Sequence, residues 1–343
     1  MTWRVPFFLY CLTLGPPATP ISRHTKSDAK TASLNMVVSS CLLAQEAPSA
    51  PCENATLDDA AQELEVRQWD LAMEALRNAA SSCSGNGRYH ALLAAALMNK
   101  GFSVEAAREY YAAIALSPQQ SDYYRALAEI LIQSRAYGNA RVLLEEANRK
   151  FPDEVWTYLM LGEVYRTFSS FDEAKNALDK AVARWPENPA AHTLLGNILV
   201  DSAPSEALIE YRKAIKLAPA VPQSYLFYGI ALEKVKQTQE AIAALTKCVT
   251  LAPNMANPHY YLGQIYLKQG NLQESITELT KVLQLDPAYA LAYFQMGNAY
   301  RKLGDKAKAD AYLSRFGELS TEQKAQEVKA GKTFTEALAN PQR

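Results

Sequence analysis

The sequence has little that would mark an enzyme or a nucleic-acid binder. Its 343 residues carry a formal net charge of −1, with both signs interspersed. There is no basic excess to follow a phosphate backbone, so nucleic acid is not an expected partner. No run of 18 apolar residues occurs, which excludes a transmembrane helix on length. There is no H-E-x-x-H, no G-x-S-x-G and no C-x-x-C. Gly85-Asn86-Gly87 precedes a helical segment, but no Lys-Ser/Thr follows in the P-loop position. No catalytic residue, metal site or cofactor is expected. Histidines number 4, glycines 14 and prolines 17, too few of the last two for long flexible tracts.

What is present is a ladder. Pro118, Pro152, Pro186, Pro219, Pro253 and Pro287 are separated by 34, 34, 33, 34 and 34 residues. A fixed period of this length is the mark of a helical solenoid, whose core is linear and whose usual role is to offer a surface. Each period holds two stretches with apolar residues at three- and four-residue spacing, as two amphipathic helices require. In a 34-position register the first helix, A, is apolar or aromatic at positions 4, 7 and 11, with a small residue at 8. Helix B has a small residue at 20, a large apolar one at 24 and a small one at 27. The proline at 32 breaks helix B and sets up the next helix A.

Unit 155–188 shows the pattern most fully, with Tyr158, Leu161, Gly162, Tyr165, Ala174, Leu178, Ala181 and Pro186. Unit 256–289 has Leu262, Gly263, Tyr266, Gly270, Leu279 and Pro287, with Ser275 at position 20. Units 222–255 and 290–317 follow with Gly229 and Gly297. Units 87–120 and 121–154 have Ala94 and Ala128 in that slot. The pattern resembles the tetratricopeptide repeat over about residues 53–317. The resemblance implies an all-α fold: an α-solenoid, a right-handed superhelix of antiparallel helix pairs, about seven full units plus a partial N-terminal one. Units start near 53, 87, 121, 155, 189, 222, 256 and 290. Positions 8 and 20 are expected to face each other where helices A and B cross. The unit from 189 is one residue short, the gap falling in its A–B turn at Asp201–Ser205. Ser320-x-x-Gln323 reads as a capping box that opens a separate polar capping helix, Ser320–Ala330, within residues 318–343. The tail 331–343 is expected to fray.

Residues 1–52 differ from the rest. Met1–Arg4 is short and basic, Val5–Leu14 is apolar, and Gly15–Pro20 is small and proline-rich. Together they resemble a secretory signal. A second apolar stretch, Ala32–Ala44, loosely resembles a lipoprotein box at Val38–Cys41, and residues 45–52 read as a linker. Export, to the periplasm or another extracytoplasmic space, is the first reading. A disordered cytoplasmic leader, or a start placed too far upstream, is the other. Of five cysteines, Cys248 falls on a buried small-residue position. Cys52 precedes helix A of the first unit and Cys83 follows its helix B. These ends adjoin in an antiparallel hairpin, so the two either form a disulfide, in keeping with export, or remain unrelated thiols. His90, His192 and His259 all occupy position 4, where Tyr124, Tyr158, Tyr225 and Tyr293 stand in other units. They read as packing residues rather than metal ligands.

In such arrays helix A lines the concave face, and positions 2, 5, 6, 9, 12 and 13 point into it. The candidate groove residues are therefore Trp156, Leu159, Phe227, Tyr260, Tyr261 and Phe294 at the first three positions. Met160 and Leu226 belong to the same set, which packing between repeats would equally explain. Position 9 supplies Glu129, Glu163, Asn197, Gln264 and Asn298. This row is similar to the asparagine ladder in the tetratricopeptide superhelix of O-linked N-acetylglucosamine transferase, though Ala95 and Ile230 interrupt it. No transferase sequence follows residue 317, so that activity is not implied. Lys234, Lys268 and Lys302, with Arg301 beside the last, form a cationic row at position 13. The row would favour an acidic peptide or a free C-terminus, or else serve as solvated charge at helix C-termini. No unit pairs lysine at position 5 with asparagine at 9, so the carboxylate clamp for heat-shock-protein C-termini is not expected. The expected function is a non-catalytic scaffold or adaptor binding a protein or peptide in the groove. The alternatives are an accessory subunit of a glycosyltransferase or other envelope enzyme acting in trans, and a self-assembling structural array.

Overall fold

The computed structural model describes residues 52–339. The leader's apolar stretches and residues 340–343 lie outside the described residues. Among those described there are sixteen α-helices and no strand. They pair in chain order as A and B helices: α1 (Asn54–Glu65) with α2 (Trp69–Cys83), α3 (Gly87–Asn99) with α4 (Ser103–Leu116), and α5 (Ser121–Gln133) with α6 (Tyr137–Lys150). Then come α7 (Val155–Thr167) with α8 (Phe171–Arg184), α9 (Pro189–Leu199) with α10 (Pro204–Leu217), and α11 (Pro222–Lys234) with α12 (Thr238–Leu251). The last are α13 (Ala256–Gln269) with α14 (Leu272–Leu285), and α15 (Ala290–Leu303) with α16 (Lys306–Ala339). Each helix packs on its neighbours in the chain, and successive A helices such as α7 and α9, or α13 and α15, also touch.

The small residue at position 8 is what lets each pair close. A Cβ added at Gly162 would lie 2.6 Å from Leu178 Cγ, and one at Gly229 would lie 2.8 Å from Leu245 Cγ. Gly263 stands in the same relation to Leu279, and Gly297 to Leu313. The glycine therefore receives the side chain of position 24, while position 20 presents its backbone: the Ala241 carbonyl would lie 3.3 Å from a Gly229 Cβ. This refines the expected pairing of positions 8 and 20. Ser275 at position 20 keeps its hydroxyl satisfied by donating to the Gly263 carbonyl at 2.8 Å.

The A–B turn has one geometry in seven units. Position 15 is left-handed throughout: Arg67, Gly101, Arg135, Ser169, Lys236, Gly270 and Gly304 all have φ between 57° and 85°. The N–H of the next residue then donates back to the carbonyl of position 11, at 2.8–3.0 Å, as from Gln237 to Leu232 and from Asp305 to Tyr300. This is the 6→1 bond of a Schellman closure. The unit from 189 lacks this left-handed residue. There Ala203 N–H reaches the Leu199 carbonyl at 2.7 Å, so the shorter loop satisfies the same position-11 acceptor with a 5→1 bond.

At the N-terminal end Cys52 and Cys83 are bonded as a disulfide, with Cα atoms 4.7 Å apart. At the other end the separate capping helix does not form. Helix α16 runs unbroken for 34 residues, Lys306–Ala339, and takes in Ser320 and part of the tail expected to fray. The reason is the missing breaker. Position 32 of the last unit is Thr321 rather than proline, so its helix B continues.

Two stability outcomes follow. Gly229→Leu places a side chain against Leu245 and is expected to cost roughly 1–3 kcal/mol. Adding Leu245→Ala should recover part of that loss, and strictly additive effects in thermal melts would reject the contact. Lys236→Gly removes a left-handed strain of about 1 kcal/mol and is expected to raise the melting temperature, whereas Lys236→Ala is not.

Candidate functional site

The A helices sort the candidate groove residues into two groups. Trp156, Leu159 and Tyr260 are buried, 6–7% exposed, and belong to the cores between units. Leu226 is buried as well. Position 5 packs rather than binds in the units from 155, 222 and 256, where the following A helix covers it. Phe227 and Tyr261 are half-buried, Phe227 stacking on Tyr211 at 6.3 Å between ring centroids. Burial pushes the Tyr261 hydroxyl up to about 12. Only Phe294 among the groove aromatics is open, 37% exposed, where it leans on Phe316 of α16 at 5.2 Å.

Position 9 is half-buried at Glu163, Asn197, Gln264 and Asn298, and exposed at Glu129. Asn197 Oδ1 accepts from the Tyr211 hydroxyl at 2.8 Å, Gln264 Nε2 donates to the Tyr260 hydroxyl at 2.8 Å, and Asn298 Oδ1 accepts from Arg301 Nη2 at 2.6 Å. Each amide is thus held in one orientation by one bond, with the other half of the group still able to meet a ligand. Burial raises the carboxyls of Glu129 and Glu163, against the opposing pull of Arg125 and Arg166.

The cationic row has partners in the preceding unit. Lys234 pairs with Asp201. Lys268 pairs with Glu233 at 3.0 Å. Lys302, facing no carboxylate there, donates to the Leu267 carbonyl at 3.1 Å, which lies in the last turn of α13 and also accepts from the Gly270 N–H at 3.4 Å. The row therefore stitches consecutive A helices. Its charge is compensated along the chain until the last step, where Lys268, Arg301 and Lys302 converge. Two openings lie on this stretch. One, of about 420 Å³, is lined by Leu267, Lys268, Phe294, Asn298, Arg301 and Lys302. The other, about 170 Å³, lies between α11 and α13, includes Ile230, Lys234, Tyr261 and Gln264, and shares Lys268 with the first.

The position-4 histidines do pack, but each also has a carboxylate partner that sequence reasoning missed. His90 Nδ1 lies 2.6 Å from Glu109, His192 Nδ1 lies 2.6 Å from Glu210, and His259 Nδ1 lies 2.6 Å from Glu278. The far ring nitrogen of His192 faces the Pro186 carbonyl at 2.8 Å, where Tyr158 and Tyr293 put their hydroxyls on Pro152 and Pro287. The signal was available: position 23 is glutamate in the three histidine units, and Leu143, Ala177, Ala244 or Tyr312 in the tyrosine ones. These pairs belong to the helix A–B contact, not to the groove. No group of three or more metal-ligating side chains occurs among the described residues.

Family models of the tetratricopeptide repeat match residues 159–222, 222–255 and 291–319, and a further model described as TPR repeat matches 263–304. The chain is a tetratricopeptide repeat protein. No curated protein matches it. Among solved structures, the APC/C hetero-tetramer Cut9–Hcn1 aligns at 19% identity and TM-score 0.60, over 72% of this chain and 49% of that one. PilW, a widely conserved type IV pilus biogenesis factor, aligns at 20% identity and TM-score 0.53, over 57% of this chain and 91% of its own. MamA from Desulfovibrio magneticus RS-1 aligns at 24% identity and TM-score 0.43, over 49% and 96%. The first two share the solenoid fold.

In this tetratricopeptide array Glu163 makes a pH prediction. Its raised folded-state value means that the native state holds the proton more tightly than the unfolded chain, so stability falls as pH rises above the ordinary glutamate value of 4.5. Glu163→Gln should melt higher than wild type at about pH 7, with the gain gone by about pH 4. An equal gain at both values would show that the carboxyl's charge is not responsible.

Proposed function

We propose that the array is a non-catalytic scaffold that binds an extended acidic peptide segment along α11, α13 and α15. The observation that carries this reading is the pair of adjoining openings sharing Lys268, where Lys268, Arg301 and Lys302 converge beside the exposed ring of Phe294. Phe294 is an apolar anchor of the kind that dominates interface energetics. The cations steer an acidic chain toward it and fix its register. Gln264 and Asn298, each oriented by one internal bond, remain suited to hydrogen-bond a peptide backbone.

The Cys52–Cys83 bridge supports an exported setting, because disulfides persist in oxidising compartments. No helix among the described residues is long and apolar enough to cross a membrane. An exported scaffold would also suit service to an envelope enzyme in trans.

The test is a pull-down from the native host with wild type against a Lys234/Lys268/Lys302→Glu variant and, separately, Phe294→Ala. Partner recovery should fall at least several-fold in both, and in wild type should weaken as salt screens the pairing. Equal recovery by wild type and both variants would reject this stretch as the binding surface.

A further inference from the structure

Helix α16 does something that no other helix of the array does. Helices α1–α15 are 11–15 residues long, and their main contacts with one another are with elements next to them or next but one in the chain. Helix α16 is 34 residues long, roughly 50 Å at 1.5 Å per residue. It packs on α15 at its start and then on α4, in the second unit.

The sequence of α16 changes along its length to suit this. Eight of the ten residues of its middle, Ser320–Lys329, are polar, so this stretch has little apolar surface to bury. Near its end Phe334 and Leu338 are four residues apart, on one face of the helix. Phe334 is only 8% exposed and belongs to the core cluster that holds Ala106 and Ala107 of α4; Leu338 packs against the same cluster. Five of the fourteen residues of α4 are alanine, so a second helix can come close to its backbone. At position 21, where α4 has the wholly buried Ala107, α6 has Arg141 and α8 has Lys175, long cations that would hold a helix off. The α4 face is thus fitted to receive an apolar helix end, as those of α6 and α8 are not.

We infer that α4 carries an intramolecular docking site whose occupant is the C-terminal end of α16, held by Phe334 and Leu338. Docked, α16 is a strut that fixes the separation of the second and eighth units. Released, it leaves the array free to flex and bares the apolar face of α4. The site is separate from the groove of α11, α13 and α15, and its existence does not depend on that reading.

Pulsed electron-electron spin resonance tests this on the full chain. Spin labels go on cysteines introduced at Leu116, exposed on α4, and at Ala339. Cys11 and Cys41 are replaced by serine, Cys52 and Cys83 are bridged, and Cys248 is buried. The docked chain is expected to give one narrow distance distribution. Phe334→Asp and Leu338→Asp should each broaden and lengthen it, while Phe334→Leu, which stays apolar, should keep it narrow. A broad distribution in the parent, or a narrow one retained in both aspartate variants, would overturn the inference.

Discussion

The array rests on the close approach of helices A and B at position 8. At Gly162, Gly229, Gly263 and Gly297 the helix A backbone takes the side chain of a helix B leucine directly, with no room for a Cβ. In the shortened unit Tyr211 fills this role against Gly196. The leucine or tyrosine so placed is at most 1% exposed in four of these units, and full burial of such a side chain contributes roughly 1.5–3 kcal/mol. The depth of this contact sets the angle at which each hairpin offers its outer surfaces to the next. The repeated core, the spacing of the A helices and the line of the groove all follow from it.

Much of this was legible in the sequence, because a repeat supplies its own comparison set. The proline ladder gave the period, and the period gave the register. In that register the shortened unit could be located in its A–B turn. The turn's left-handed position was half visible: Gly101, Gly270 and Gly304 mark it, but Arg67, Arg135, Ser169 and Lys236 hide it, since only the backbone shows that they share one conformation. The histidine–glutamate pairs were written in the same register and could have been found by reading positions 4 and 23 together. What the register could not separate was helix A residues that pack from those that face solvent. Trp156, Leu159 and Tyr260 are large apolar or aromatic residues, as Phe294 is, and only the placement of the neighbouring unit decides which are covered. The capping helix failed for a different reason. A capping box is a local signal, whereas helix termination in this array is enforced by the proline of position 32, which the last unit lacks.

The cationic row shows how one residue position can serve two ends. Inside the array each lysine has a carboxylate one unit back, so its charge is spent between neighbours and contributes little net potential. The pairing is directional, always from a later unit to an earlier one. Lys302, the last of the row, meets a backbone carbonyl instead, and Arg301 beside it bonds a neutral amide. Positive potential therefore collects at one end of the row without any local excess of basic residues in the composition. Exposed aromatic surface at the same place, from Phe294, turns this end into the region where charge and apolar area coincide.

Contacts in a repeat array are short in sequence, which lets folding begin anywhere and spread, and lets either end fray without the other. The contact between α4 and α16 joins residues more than two hundred positions apart. Its loop-closure entropy is offset only after the intervening units are in place, so it forms late in folding. Once made, it turns an open row of units into a closed circuit, in which the terminal units no longer open independently. A protein with this topology unfolds more nearly as a single cooperative body than its repeat count would suggest.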